Sequence, residues 1–303
     1  MAEHIVRKFG DLHFVTPSEF DGASSGYGRD PVVAEAGGAV QMGFEVARLE
    51  PGGHVDAHVH SFEETLYVVQ GELTVDTSEG SYRLVPGDYG LLPVGMTHAY
   101  RNLSGETVSF SEMKAPLPRE RLDYDTQFPT ALPPRDPDPI DVRDPRNRYF
   151  GHIEPENMDP AMQTQDKLAQ SASMRTALLV YSGISVKMMI DSDLGADLST
   201  MFMVQYEQGG FAGAHDHPLE EAYQILDGQV EATFDGHKYE LGPGDVAWAG
   251  VGCVHEFRNI GEGIVRWLET QAPQPPPRHS YRFARDWSYL ENALASEAGA
   301  GKQ

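Results

Sequence analysis

The sequence predicts an all-β protein made of two small barrels or sandwiches in tandem, joined by a long linker and closed by a short C-terminal helix. Three observations carry this prediction. A block of the sequence recurs at a constant offset, each copy alternates apolar with polar residues, and turn residues punctuate both copies.

The repeat comes first, because missing it would misread the whole fold. His58 and His215 stand 157 residues apart, and the same offset relates His60 to His217, Glu64 to Glu221, Gly71 to Gly228, Gly87 to Gly244, His98 to His255 and Asn102 to Asn259. No insertion or deletion interrupts the register, which points to duplication. Within the copies, Leu73-Thr74-Val75-Asp76 and Val230-Glu231-Ala232-Thr233-Phe234 alternate as half-buried strands do. Pro86-Gly87-Asp88 and Pro243-Gly244-Asp245 read as turns between short strands. With 31 Gly and 21 Pro in 303 residues, the composition also suits strands and turns more than long helices.

The expected division is a first barrel over 1–118, a linker or crossing arm over 119–175, a second barrel over 176–275 and a tail over 276–303. The linker is rich in proline and charge and is expected to hold little regular structure. In the tail, Phe283, Trp287, Leu290 and Leu294 fall at helical spacing.

Charge and composition exclude several roles. The formal net charge is −23, from 46 acidic and 23 basic residues. Such a surface repels phosphate backbones and anionic membranes, so no nucleic-acid or membrane partner is expected. One cysteine, Cys253, leaves no intrachain disulfide. The N-terminus lacks a secretory apolar run, and nothing approaches the roughly 18 apolar residues of a membrane span, so a cytoplasmic location is expected. Exposed barrel edges favour a homodimer or higher homo-oligomer.

Each copy also carries a metal-ligand pattern. In a strand, residues i and i+2 share a face, so His58 and His60 point together and Glu64 has the same parity. His98 adds a fourth ligand from a separate block, and His215, His217, Glu221 and His255 repeat the set. Three neutral imidazoles and a carboxylate suit a divalent transition ion, iron or manganese first, with nickel, copper or zinc as other candidates. A structural zinc site would be closed and usually cysteine-rich; this set leaves positions open for a chelating substrate or dioxygen.

These blocks, Gly52-x5-His58-x-His60-x3-Glu64-x6-Gly71 followed by Gly87-x5-Pro93-x-Gly95-x2-His98-x3-Asn102, resemble the two signature motifs of the cupin superfamily. The second copy departs only at Gly250, where the motif has proline. The resemblance covers roughly residues 40–115 and 197–272 and implies a bicupin of two jelly-roll (double-stranded β-helix) barrels. It is similar in its ligands to the quercetinase-type and oxalate-degrading bicupins, although the Ser-Glu-Asn lid run of an oxalate decarboxylase is absent. Its layout also resembles the manganese-dependent ureidoglycine aminohydrolases, through Leu66-Tyr67-Val68-Val69-Gln70-Gly71 and Met113-Lys114-Ala115-Pro116. That family orders its ligands Glu-x-His-x3-His with a final Gln, unlike the order here.

Three functions follow as alternatives. One is dioxygenase-type oxidation of a small enol, catechol-like or 2-oxo metabolite. Another is manganese-dependent hydrolysis of a C–N bond. The third is binding of metal and small molecule without turnover.

Strand parity also places residues beyond the ligand set. Tyr223 follows Glu221 on the metal-facing side, where the first copy has Leu66, and is a candidate catalytic hydroxyl. Tyr100 corresponds to Phe257. Arg48, opposite Gln205 in the repeat, is a candidate carboxylate clamp if it points inward. Arg101 and Arg258 are expected to point outward, Glu63 and Glu220 to be solvated, His54 and His237 to be exposed in turns, and Cys253 to be a small buried residue.

Overall fold

The computed structural model describes residues 3–133, 135–159 and 181–274, with the backbone of Arg282–Phe283. Among them, regular structure is almost entirely strand, in two curled sheets of eleven and ten strands, with short 3-10 turns between. No helix among the described residues is long and apolar enough to cross a membrane.

One long strand organises each barrel. In the first, Gly43–His60 pairs along its leading half with Val108–Ala115 (Leu49 opposite Val108) and along its trailing half with His98–Arg101 (His58 opposite His98). In the second, Thr200–Asp216 pairs likewise with Val265–Ala272 and His255–Asn259. The register slips between Val55 and His58, and again between Ala212 and His215, so even the irregularity is duplicated at the 157-residue offset. A slip of this kind bends the strand and re-aims the residues after it.

Apolar residues of one parity fill each barrel. Leu66, Val68, Leu73, Val75, Val108 and Phe110 lie inside the first; Ile225, Val230, Ala232, Phe234, Val265 and Trp267 lie inside the second. The motif glycines Gly71 (φ +80°) and Gly228 (φ +75°) turn in the left-handed region. A Cβ there would also come within 2.8 Å of Thr107 O and 2.2 Å of Ile264 O respectively, so no other residue fits.

The outer faces of the two barrels pack together. Phe44, Val46 and Met113 of the first meet Ala222, Trp248 and Ala272 of the second in one cluster. The glutamates beside the ligand positions tie this interface. Glu63 accepts from the backbone N–H of Asp197 (2.6 Å) and Leu198 (3.0 Å) and from Ser199 Oγ (3.0 Å). Glu220 accepts from the N–H of Val40, Gln41 and Met42 at 2.8–3.2 Å. Residues 40–42 and 197–199 are themselves repeat partners, so each barrel grips the same loop of the other. Both carboxylates are buried, at 3% and 1% exposure. The expectation that they are solvated was wrong: the barrel exterior they face is the interface.

Three further differences from expectation concern the segments outside the barrels. The first four described strand residues, His4–Arg7, leave the expected first domain and pair with Val246–Ala249 of the second sheet. This arm explains the departure at Gly250: its N–H donates to Glu3 O (2.9 Å), which proline could not do. The described part of the linker is not free chain. Thr126–Gln127, Asp138–Pro139 and Phe150–His152 each pair with a strand of the first barrel, and Phe150 is buried in its core. Residues 160–175 of that linker lie outside the described residues. So does nearly all of the expected terminal helix, but Arg282–Phe283 form a strand against His215–Asp216, because an unpaired strand end overrides a weak helical period.

Removing either clasp carboxylate leaves buried donors unpaired. Glu63→Ala and Glu220→Ala are each expected to cost about 2–4 kcal/mol by urea denaturation, against less than about 0.5 for exposed Glu262→Ala.

Candidate metal centres

The sequence-predicted ligands converge in both barrels. In the first, one donor atom each from His58, His60 and His98 lies within 4.8 Å of the others. Glu64 joins them, its Oε2 3.1 Å from His60 Nε2. In the second, His217, Glu221 and His255 form the 4.8 Å set, and the His215 ring lies 4.3 Å from that of His255. All eight side chains are buried.

Each ring is held by its outer nitrogen. His58 Nδ1 contacts Asp56 O (2.8 Å), His98 Nδ1 Met96 O (3.0 Å) and His60 Nδ1 the hydroxyl of Thr126 (3.0 Å). In the second barrel, His215, His217 and His255 Nδ1 contact the carbonyls of Gly213, Leu219 and Cys253 at 2.7–3.0 Å. A carbonyl partner fixes the proton on Nδ1 and turns the Nε2 lone pair inward, the tautomer a metal ligand needs. His98 Nε2 is buried without a hydrogen-bond partner. A buried orphan of this kind costs about 1–3 kcal/mol, and a cation would relieve it, so the residues fit a divalent ion.

The electrostatics favour the same state. Burial, then neighbouring His98 and His60, holds His58 well below the usual imidazole range. Burial lowers His60 to about 4 and His215 to about 3, against 6.5. For Glu64 and Glu221 burial alone would raise the carboxyl, but His60 and His217 override it and hold both well below the carboxylate range. His217 differs: burial lowers it, and the adjacent Glu221 more than reverses this, so it ends raised.

Tyrosine hydroxyls complete both sites, from different strands. Tyr223 OH donates to Glu221 Oε2, as its parity suggested. In the first barrel the donor is Tyr100, whose OH reaches Glu64 Oε1. Leu66 and Phe257 occupy the complementary positions and pack in the two cores. The contrast drawn between Tyr223 and Leu66 therefore missed a swap: each barrel keeps one tyrosine on its glutamate.

The first barrel alone adds a buried charge network that the sequence reading did not single out. Lys114 Nζ is 2.7 Å from Glu45 Oε2 and 3.8 Å from Glu112 Oε2. Arg29 Nε is 3.0 Å from Glu45, and Tyr27 OH donates to both oxygens of Glu112 at 3.0–3.1 Å. Burial, with Glu64 nearby, pushes Glu112 up to about 8. The second barrel has Gln271, Phe202 and Val186 where the first has Lys114, Glu45 and Arg29. Gln271 Nε2 instead donates to Glu221 Oε1. Parity held the signal, since Glu45 shares the face of inward Ala47 and Leu49, and Glu112 and Lys114 share that of Phe110.

A cavity of about 330 Å³ opens on this network. Its wall includes Arg29, Glu45, Lys114, Phe62 and Thr126. Phe62 stacks on His60 (centroids 4.1 Å apart) and Thr126 holds its Nδ1, so the cavity adjoins the first centre from behind that ring.

Arg48 does not point inward. It has the opposite parity to Ala47 and Leu49, and its guanidinium lies over the Phe14 ring, 3.8 Å from the centroid. Arg101 forms a two-pronged ion pair with Asp76, and Arg258 lies over Phe211 at 5.1 Å. His54 and His237 are exposed but lie in strands, not turns. Cys253 is buried, and burial with Asp235 beside it pushes the thiol up to about 12, unlike a nucleophile.

Two predictions follow from the ligand geometry. His58→Ala/His60→Ala and His215→Ala/His217→Ala should each lower metal content by about one ion per chain, by elemental analysis, because loss of ligands outweighs the remaining contacts. For the metal-free protein, His60 and His215 take up protons in the unfolded chain near 6.5 but in the fold only near 4 and 3. Between these values the unfolded state binds more protons, so their contribution is present above 6.5 and is lost as pH falls. Because Glu112 is shifted the opposite way in the same range, the contribution of His60 is read by difference: the urea midpoint of His60→Gln minus that of the parent should rise as pH falls from 7 to 4.

Comparison with known proteins agrees with this geometry. The cupin-domain family profile matches residues 45–113 and 202–270. Quercetin 2,3-dioxygenase of Bacillus subtilis (strain 168) is 27% identical over 241 residues, 71% of this chain and 69% of that protein. The HTH-type transcriptional regulator PuuR of Escherichia coli (strain K12) is 28% identical over 128 residues, 42% of this chain and 64% of that protein. In fold, the chain matches the oxalate decarboxylase of Lactobacillus farciminis with a TM-score of 0.60 at 17% identity, covering 93% of this chain and 89% of that one. With two cupin domains in one register, each folded around its own histidine cluster, the chain is a bicupin of the cupin superfamily.

Proposed function

We propose that this bicupin is a metal-dependent enzyme that oxidises or cleaves a small chelating metabolite with dioxygen, and that the chemistry takes place in the first barrel. The observation that carries this reading is the inward-facing His58, His60, His98 and Glu64 cluster with a cavity of about 330 Å³ behind it. A second cavity, about 160 Å³, lies by Tyr67 and Met203. The likeness to quercetin 2,3-dioxygenase supports the reaction class.

His58, His60, His98 and Glu64 would hold the ion, and an iron- or manganese-class ion so bound would supply electron exchange between chelated substrate and dioxygen. The chain does the rest. Tyr100 holds one oxygen of Glu64 and leaves the other toward the rings. Phe20 packs against His58 (5.0 Å) and Phe128 against Phe20 (5.7 Å), so aromatic surface excludes water from that side. Burial and nearby Glu64 favour the neutral form of Glu112, and in the cavity wall Lys114 and Arg29 are paired with Glu45 and Glu19. A cavity wall balanced in this way suits a neutral or weakly ionised metabolite rather than a polyanion. Tyr223 is a positioning residue for Glu221, and Arg48 has no part in the reaction.

The likeness to PuuR over 42% of this chain favours a second reading, ligand binding without turnover. Oxygen-electrode traces with 1,3-diketones, catechols, flavonols and 2-oxo acids separate the two. The first reading expects uptake with at least one class, reduced at least about 100-fold by His58→Ala/His60→Ala and less than about tenfold by His215→Ala/His217→Ala. No uptake with any class contradicts it, and ammonia release from a ureido substrate without uptake would move the reaction to hydrolysis.

A further inference from the structure

A third cluster of metal-ligating side chains lies outside both cupin centres. One donor atom each from His4, Asp235 and Cys253 falls within 4.8 Å of the others. They come from three separate segments. His4 is on the N-terminal arm, opposite Ala249; Asp235 is in the turn after Val230–Phe234; and Cys253 is in the loop that leads to His255. Asp235 is tied to Val254, the residue after Cys253: its N–H donates to Val254 O (2.7 Å), and its Oδ1 accepts from Val254 N–H (2.9 Å). His4 is fixed independently, stacked on Phe234 (centroids 5.5 Å apart, planes 15° apart), with Nε2 2.9 Å from Tyr239 OH.

This cluster is not a by-product of the duplicated scaffold. At the 157-residue offset the first barrel has Ser78 for Asp235 and Met96 for Cys253. The arm that brings His4 is the same one that replaced proline by Gly250, so arm and cluster are private to the second barrel.

We propose that His4, Asp235 and Cys253 form a third divalent-cation site, of the thiolate-binding class that zinc represents, which fastens the N-terminal arm to the second barrel. One imidazole, one carboxylate and one thiolate place two negative charges against a divalent ion. The mixed nitrogen, oxygen and sulfur set selects a borderline ion such as zinc or cobalt over calcium or magnesium. His237, whose ring is 5.6 Å from that of His4, or water takes the remaining position. Binding replaces the S–H bond by an S–metal bond and releases one proton to solvent. The site is distinct from the cupin centres in chemistry, since neither of those contains sulfur, and does not depend on the reaction proposed for them.

The single cysteine makes the test specific. Untagged protein stripped with chelator is titrated with cobalt(II) and followed in the near ultraviolet, where thiolate-to-cobalt charge transfer absorbs and imidazole or carboxylate ligation does not. The expected result is a saturable thiolate band. It is lost in Cys253→Ser, which binds one cobalt fewer per chain, and needs at least about tenfold more cobalt in His4→Ala. His4→Ala alters a half-buried residue on an edge strand, so it serves if Cys253→Ser does not fold. Absence of the band, or a band unchanged by His4→Ala, would overturn the proposal.

Discussion

Everything in this structure is arranged around the cost of burying imidazole nitrogens. Six histidines and two glutamates project into barrel interiors, where an unpaired polar atom is expensive and a lone charge more so. The chain solves half of the problem with its own backbone: five of the six rings give Nδ1 to a carbonyl and the sixth to Thr126. That leaves the Nε2 atoms facing one another beside a carboxylate, an arrangement that a cation satisfies. The duplicated slip in each long strand follows from the same demand, because it sets His58 opposite His98 and His215 opposite His255.

Around that fixed centre the two copies diverged. The tyrosine on the ligand glutamate moved from one strand to another, with leucine or phenylalanine filling the vacated volume, a compensated exchange that preserves packing and the hydrogen bond. The first barrel acquired Lys114, Glu45 and Arg29 in place of Gln271, Phe202 and Val186, and with them a cavity. The second acquired the N-terminal arm. The barrels nevertheless remain one unit, since Glu63 and Glu220 each hold the partner's loop through three donors.

Much of this was legible in the sequence. A fixed offset gave the duplication, strand parity gave His58, His60, Glu64 and their three repeats together with the inward aim of Tyr223, and the second motif block gave His98 and His255. What parity cannot supply is what lies beyond the outward face. Glu63 and Glu220 read as solvated only if the barrel exterior meets water, and here it meets the other barrel. Arg48 needed its neighbours: Ala47 and Leu49 are apolar and face in, so Arg48 faces out onto Phe14. The arm and the linker escaped because their pairing is long-range and their strands span only two to four residues, too short for a period to register. Gly250 was the one visible trace of the arm, since a glycine where its repeat partner is proline frees an N–H that something must accept.

The central claim is that both buried clusters are cation sites. It is tested most directly by crystallising protein loaded with manganese or iron and computing the anomalous difference map at the metal edge. The account predicts a peak at each cluster. One lies about 2.0–2.2 Å from the Nε2 atoms of His58, His60 and His98, and the other is placed likewise among His215, His217 and His255. A map with no peak at either cluster would contradict it.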